Sequence, residues 1–112
     1  MTRPAVPETD VAGALAQAQQ GAVLLDVRVP HEWQAGHAPG AVHVPLGHLT
    51  PDAVPGDGPV VVVCRSGNRS AYATAALLSV GRTAVNLVGG MQAWSQSGQP
   101  VVRDDGSPGE VL

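Results

Sequence analysis

The sequence predicts one α/β domain built on a parallel β-sheet. Two short apolar runs, residues 23–27 and Val60–Val63, have the length and β-branched content of buried strands. An alanine-rich stretch over residues 71–80 follows the second run and is typical of a helix packed on a sheet. Strands that alternate with helices along a chain form parallel sheets with helices on both faces.

The amino-terminal elements are marked by proline, by a capping residue and by glycine. Pro4 and Pro7 indicate a lead-in, with a short edge strand expected near residues 5–6. Thr9 or Asp10 is suited to cap a helix whose apolar side chains recur at helical spacing, and Gly21 ends that helix.

The remaining elements follow in order. A strand over residues 23–27 is interrupted only by Asp26, and one or two helical turns are expected over residues 30–36, between a proline and a glycine. Residues 46–54 leave open whether a short helix forms, and residues 55–59 predict a turn. The other expected elements are strands over 41–44, 60–63 and 84–88, a turn at 89–90 and a last helix over 91–96.

Length and composition indicate one globular domain over residues 1–112. Of the 112 residues, 44% are hydrophobic and 13% are charged, which suits a folded chain. We expect the ordered core to span about residues 5–100. Residues 101–112 are rich in Gly, Pro, Asp and Ser and predict a flexible tail.

Charge and cysteine content exclude several classes of protein. The net charge is −3 with scattered arginines, so no nucleic-acid surface is expected. No apolar run reaches membrane-spanning length, and the single cysteine excludes an internal disulfide and suits a reducing cytoplasm. The four histidines lack the spacing of metal ligands. We therefore expect a cytoplasmic protein without a metal or a cofactor, and a monomer, since no exposed apolar stripe in the sequence demands a partner.

Cys64 is the main candidate for chemistry. It directly follows the valine strand and precedes the predicted helix, so it lies at the carboxyl end of a parallel strand, where such sheets bind ligands. A helix amino end and the nearby Arg65 and Arg69 favour a thiolate. The alternative is a buried structural cysteine, which the polar neighbours disfavour.

Several motifs together resemble the rhodanese family. Residues 24–28 (LLDVR), Glu32-Trp33 and residues 36–41 (GHAPGA) look like its amino-terminal signature. Residues 63–70 (VCRSGNRS) resemble its active-site loop, and residues 88–94 (VGGMQAW) its carboxyl-terminal signature. The resemblance implies a five-stranded parallel sheet between helices. It also implies a sulfurtransferase that carries sulfur as a cysteine persulfide, with thiosulfate or a related persulfide or polysulfide as donor and a thiol or cyanide as acceptor.

The loop residues suit that chemistry. An exposed Cys64 thiolate would attack the donor, and backbone N–H groups converging on the sulfur would hold the persulfide anion. Gly67 permits the backbone reversal that such a cradle needs. The predicted catalytic residue is therefore Cys64, and the predicted substrate-binding residues are Arg65, Ser66, Gly67, Asn68, Arg69 and Ser70.

Two other functions compete. A phosphatase or arsenate reductase would use Cys64 as nucleophile and Arg69 to hold the oxyanion, but Arg69 lies five positions after Cys64, and the loop of the related phosphatases is one residue longer. A non-catalytic binding module with this fold usually has the cysteine replaced, and here it is retained.

Other conspicuous side chains are interpreted as structural. We expect Asp26 to be buried and hydrogen-bonded, and Arg28 to pair with Glu32. Trp33 and Trp94 are expected to seal the core. His37 is expected to satisfy backbone groups near the active-site end of the sheet.

Overall fold

The computed structural model describes residues 2–112 and contains five strands, four helices and two 3₁₀ turns within them. The strands are β1 (Glu8–Thr9), β2 (Val23–Asp26), β3 (Val42–His43), β4 (Val60–Val63) and β5 (Ala84–Leu87). The helices are α1 (Val11–Gln19), α2 (Pro30–Ala35), α3 (Asn68–Ser79) and α4 (Gly90–Gln96), and the 3₁₀ turns are Leu46–His48 and Pro51–Ala53.

All five strands form one parallel sheet in the order β1-β5-β4-β2-β3. The valine strand β4 is central, with Val60 opposite Val23 of β2 and Ala84 of β5. Its four side chains are buried, as the unbroken valine run predicts for a strand covered on both faces. The predicted fold class is confirmed.

Each face of the sheet carries its own apolar core. On one face Val60 and Val62 pack with Ala73 and Leu77 of α3. On the other, alternate side chains of the same strand pack with residues of α1 and α4, namely Val61, Val63, Ala14, Met91 and Trp94. The period of two along β4 thus divides its side chains between the two cores.

The first helix begins and ends where the sequence indicates. The carboxylate of Asp10 accepts the N–H of Gly13 at 2.8 Å, which satisfies one of the free N–H groups of the first turn. Gly21, at φ +98°, follows its end in the left-handed region.

Three details differ from the sequence prediction. The edge strand β1 is Glu8–Thr9 rather than residues 5–6, because its hydrogen bonds to β5 begin at the carbonyl of Pro7, which accepts the N–H of Asn86. Residues 46–54, left open above, form the two 3₁₀ turns. Trp94 is buried as expected, but Trp33 is only half-buried and stacks between His37 and His43, with ring centroids at 3.6 and 4.7 Å.

Residues 101–112, expected to be a flexible tail, have defined contacts in the structure. Val102 and His37 exchange backbone hydrogen bonds of 2.8 and 2.9 Å, and the N–H of Glu110 donates to the carbonyl of Ala35 at 2.9 Å. Val101 and Val111 pack against the core on the α1 and α4 face. Composition alone predicts mobility here, because the contacts that hold the segment are made to residues far away in the sequence and leave no local pattern.

Within residues 2–112 the structure has no helix that is both long and apolar enough to cross a membrane.

Candidate active site

Cys64 lies directly after β4, and α3 begins four residues later at Asn68. The chain reverses between them through Gly67, whose φ of +103° is a conformation that side-chain-bearing residues rarely adopt. The sulfur accepts the N–H of Gly67 at 3.1 Å and lies 3.2 Å from the hydroxyl oxygen of Ser70. The loop therefore curls around the sulfur, as expected from its sequence.

The sulfur is less accessible than the sequence suggested. Cys64 is only 1% exposed, and its side chain joins the apolar cluster beneath α3. We expected an exposed thiolate, and the difference arises because the same curl that brings donors to the sulfur also covers it.

The surroundings nevertheless lower the pKa of the Cys64 thiol. Burial opposes ionisation, but the hydroxyl of Ser70 and the N–H groups of Ser70, Gly67 and Ser66 outweigh it. The direction agrees with the sequence prediction, although the main causes are these hydrogen-bond donors rather than Arg65 and Arg69. A thiolate is the reactive form of cysteine, so the loop favours the form of Cys64 that can act as a nucleophile.

Arg69 is held by an acidic side chain of α2. Its two terminal nitrogens donate to the two carboxylate oxygens of Glu32 at 2.6 and 2.9 Å. This pairing lowers the pKa of Glu32 and raises that of Arg69, for which the charge of Cys64 is a further, smaller cause. Arg69 therefore stands near the sulfur with its guanidinium already paired.

The predicted pairing of Arg28 with Glu32 is wrong. Arg28 is fully buried and instead donates to both carboxylate oxygens of Asp26, at 2.8 to 3.1 Å, and to the carbonyl of Gly36 at 2.8 Å. Asp26 is buried and hydrogen-bonded, as predicted. Asp26 and Arg28 lie two residues apart at the end of β2, so their side chains meet directly. Glu32 lies farther along the chain, on α2.

Arg65 is exposed and braced by the carboxyl-terminal region. Its Nε donates to the backbone oxygen of Leu112 at 2.5 Å. With the amide of Gln92 oriented to satisfy its neighbours, the Gln92 oxygen accepts from both terminal nitrogens of Arg65 at 3.1 and 3.3 Å. Ser66 and Asn68 are exposed at the rim of the loop, whereas Ser70 is fully buried.

The amino end of α4 supports the start of the loop from behind. The N–H of Met91 donates to the carbonyl of Cys64 at 2.8 Å, and that of Gln92 to the carbonyl of Arg65 at 3.0 Å. A Cβ on Gly90 would lie 2.8 Å from the backbone of Arg65, so only glycine allows this approach.

Sequence reasoning missed two residues of the site. Asn86 of β5 is fully buried and bonds to both Ser70 and Gly67. Arg3 donates to the carbonyl of Gly67 at 3.0 Å. Asn86 is a polar residue inside an apolar strand, and this signal could have identified it as buried and hydrogen-bonded. The same signal identified Asp26. Nothing in the sequence near Arg3 indicated its role.

His37 acts as expected, on the backbone. Its Nδ1 lies 2.9 Å from the carbonyl oxygen of Trp33, and its Nε2 lies 3.5 Å from a carboxylate oxygen of Asp104. The indole N–H of Trp33 donates to the same carboxylate at 3.2 Å. These contacts join α2 to the carboxyl-terminal segment.

An apolar cavity of about 530 Å³ lies at the opposite ends of the strands. Its lining has no charged side chain and includes Leu15, Val23, Val42 and Trp94. Among residues 2–112, no cysteine, serine or charged side chain lines it.

Fold and loop together define a parallel α/β domain with a cysteine cradled at the carboxyl end of its central strand. The model of the rhodanese-like domain matches residues 10–97. This chain belongs to the rhodanese-like domain family.

Individual relatives agree with that assignment. A protein of Allochromatium vinosum named sulfurtransferase is 42% identical, over 75% of this chain and 81% of its own length. The chloroplastic thiosulfate sulfurtransferase 16 of Arabidopsis thaliana is 38% identical, over 68% of this chain and 76% of its own length. The crystal structure of a rhodanese-related protein of Thermoplasma volcanium is 31% identical with a TM-score of 0.77, covering 87% of this chain and 98% of that one.

Proposed function

We propose that this protein is a sulfurtransferase that carries sulfane sulfur as a persulfide on Cys64. The observation that carries the proposal is the cradle around Sγ, in which the N–H of Gly67 and the hydroxyl of Ser70 lie 3.1 and 3.2 Å from the sulfur. Preorganised donors of this kind stabilise an anion without the reorganisation that water requires. Family membership and the names of the relatives support the same chemistry.

The reaction has two steps. The Cys64 thiolate attacks the outer sulfur of thiosulfate, so that a bond between the two sulfurs forms, the S–S bond of thiosulfate breaks and sulfite leaves with the electron pair. Cyanide or a thiolate then attacks the outer sulfur of the persulfide, giving thiocyanate or a new persulfide and restoring the Cys64 thiolate. A related persulfide or polysulfide would donate sulfur in the same way.

The proposed roles follow from position. Cys64 is the catalytic residue, and the backbone from Ser66 to Ser70 forms the cradle. Arg65, at the rim, would attract the anionic donor and offset the charge of the leaving sulfite, and Arg69, whose charge Glu32 partly offsets, would add a weaker attraction. Ser66 and Asn68 are exposed at the same rim, where a donor would enter.

We also propose that the protein acts as a cytoplasmic monomer. A lone cysteine that must stay reduced between turnovers suits a reducing compartment. The proposed partners are small molecules, a sulfur donor and a thiol or cyanide acceptor.

The test is an intact mass after incubation with thiosulfate. We expect a gain of one sulfur atom that is lost when cyanide is added and that is absent in Cys64→Ser. The protein has no other cysteine, so the added mass reports this site alone. If thiosulfate, polysulfide and glutathione persulfide all leave the mass unchanged, the protein is a binding module of this fold instead.

A phosphatase activity is the second enzymatic candidate, and the loop geometry disfavours it. The guanidinium of Arg69 is occupied by Glu32 rather than turned to an empty anion site. Hydrolysis of an aryl phosphate by the wild type should therefore not exceed that by Cys64→Ser. A rate well above that control would favour the phosphatase.

A further inference from the structure

Behind the cysteine loop, one side chain of β5 bonds to two residues that contact the sulfur, to the hydroxyl of Ser70 and to the carbonyl of Gly67. Asn86 is fully buried, and its Oδ1 lies 2.5 Å from the hydroxyl oxygen of Ser70. Its Nδ2 donates to the carbonyl of Gly67 at 2.9 Å. Ser70 and Gly67 are the residues whose hydroxyl and N–H lie against Sγ of Cys64.

The orientation of the Asn86 amide follows from these neighbours. The carbonyl of Gly67 can only accept a hydrogen bond, so the nitrogen of the amide must face it. The oxygen of Asn86 must then face Ser70, as an acceptor. Arg3 also donates to the Gly67 carbonyl, so that carbonyl keeps one partner if the amide is removed.

The hydroxyl of Ser70 has one proton and two acceptors near it. Its oxygen lies 2.5 Å from Oδ1 of Asn86 and 3.2 Å from Sγ of Cys64. When Cys64 is a thiol, its S–H can donate to the Ser70 oxygen at this distance while Ser70 donates to Asn86, so that every group has a partner. When Cys64 is a thiolate, Ser70 turns its proton to the sulfur and the buried oxygen of Asn86 loses its donor, at a cost in free energy.

We propose that Asn86 is a positioning residue of this site, which competes with the sulfur of Cys64 for the hydroxyl proton of Ser70. The inference rests on the proposed role of Cys64 as the sulfur carrier. Ser70 favours the thiolate, and Asn86 opposes that effect by stabilising the other position of the hydroxyl. The hydroxyl thus has two positions, one suited to the thiol and one to the thiolate.

Charged groups around the loop do not replace this effect, because all but Arg65 are paired with an opposite charge and Arg65 is exposed, where solvent screens its charge. The pairs are Arg69 with Glu32, Arg28 with Asp26 and Arg3 with Glu8, and Arg65 is bound to Leu112 and Gln92. Their fields at the sulfur partly cancel, whereas the Ser70 hydroxyl contacts it directly.

Titration of the thiolate by its ultraviolet absorbance tests the proposal. Cys64 is the only cysteine, so the difference between each protein and its Cys64→Ser counterpart reports this group alone. Asn86→Leu keeps the size of the side chain and removes both hydrogen bonds. We expect it to move the titration midpoint to lower pH, because Ser70 then has only the sulfur as acceptor. Asn86→Asp keeps an acceptor and adds a negative charge, so its midpoint should move to higher pH.

Ser70→Ala supplies the control. It should raise the midpoint, and adding Asn86→Leu to it should cause no further downward shift, because the shared hydroxyl is gone. A midpoint that rises or stays constant in Asn86→Leu overturns the proposal, as does an equal downward shift with and without Ser70. Asn86→Ala is titrated alongside, so that misfolding of the leucine variant does not prevent a decision.

The outcome is separable from that of the proposed function. The titration uses no sulfur donor, so it decides the position of the Ser70 proton whether or not a persulfide forms. Persulfide formation by the wild type with an unshifted Asn86→Leu midpoint would refute only the role of Asn86. A shifted midpoint without any persulfide would refute only the sulfurtransferase.

Discussion

At the residue scale, buried polar side chains identify the groups that organise the site. Asp26 and Asn86 both interrupt apolar strands and both are fully buried with hydrogen-bond partners. Burying a polar group without a partner costs free energy, so each must bind something nearby. Asp26 binds Arg28, and Asn86 binds the cysteine loop.

The pair between Glu32 and Arg69 should stabilise the fold in a pH-dependent way. The pKa of Glu32 is lowered chiefly by its hydrogen bonds to Arg69, so the stabilisation is present above the ordinary pKa of a glutamate and is lost as the pH falls through the lower folded-state pKa. We expect Glu32→Gln to reduce the free energy of unfolding by about 1 kcal/mol near neutral pH, since Arg69 is partly exposed. Urea unfolding at several pH values measures this.

Glu8→Gln is the matched control for that measurement. Glu8 pairs with Arg3 at 3.0 Å, but both side chains are more than a third exposed, so its removal should have less effect. A difference between wild type and Glu32→Gln that stays constant down to strongly acidic pH would contradict the assignment.

At the scale of elements, the site depends on how closely α4 approaches the loop. Two N–H groups at the amino end of α4 bind the carbonyls of Cys64 and Arg65, and Gly90 lies against the same backbone. The helix α4 thus holds the carbonyls of Cys64 and Arg65 on one side of the loop. The N–H of Gly67, on the side of the loop that faces the sulfur, is directed to Sγ.

Gly90→Ala should therefore disturb both stability and the site. Gly90 has φ +54°, and its added Cβ would overlap the backbone at Cys64 and Arg65. We expect a loss of about 3 kcal/mol in the free energy of unfolding, from backbone strain and overpacking together. We also expect a lower yield of persulfide in the intact-mass assay.

Gly81→Ala separates strain from overlap. Gly81 has φ +84° with open space around it, so its substitution should cost only about 1 kcal/mol and leave the persulfide yield unchanged. Equal losses in the two variants would show that the close approach of α4 has no energetic importance.

At the scale of the whole molecule, the carboxyl-terminal segment ties α2 and the end of the sheet to the loop. The segment bonds to His37 and Ala35, packs Gly109 against Gly36, and reaches Arg65 through Leu112. The composition of this segment predicts a flexible tail, whereas its contacts predict an ordered one. An experiment that measures local order distinguishes these two predictions.

Hydrogen exchange of backbone amides makes that distinction. We expect the N–H groups of Val102, Gly109 and Glu110 to exchange well below their intrinsic rates, because each donates to a carbonyl at 2.8 to 2.9 Å. Unprotected rates at all three would establish the flexible tail.

Gly36→Ala should selectively release the segment. Its Cβ would lie 2.6 Å from the backbone of Glu110, so exchange at Glu110 should accelerate while the amide of Val62 in the central strand stays protected. Gly58→Ala, which has open space around its Cβ, should leave both amides unchanged.

The sequence by itself determined the main strands and helices of this protein and the place of its cysteine, but not the edge strand, the 3₁₀ turns or the order of the carboxyl-terminal segment. A run of four valines predicts a strand buried on both faces, and a cysteine that directly follows it is then expected at the carboxyl end of a parallel strand; the structure has both. The spacing of apolar residues, together with the positions of proline and glycine, is a local pattern that indicates where strands and helices begin and end. The signature motifs likewise indicated the family that the comparison confirmed.

Only the tertiary structure decided which partners surround the sulfur. Glu32 binds Arg69, Arg28 binds Asp26, and Asn86 reaches the loop from a strand sixteen residues beyond Ser70. The order of the strands places β5 beside β4 and brings these side chains together. Hydrogen bonds between distant residues leave no periodic trace in a sequence, because the fold, and not the spacing along the chain, brings the two partners together.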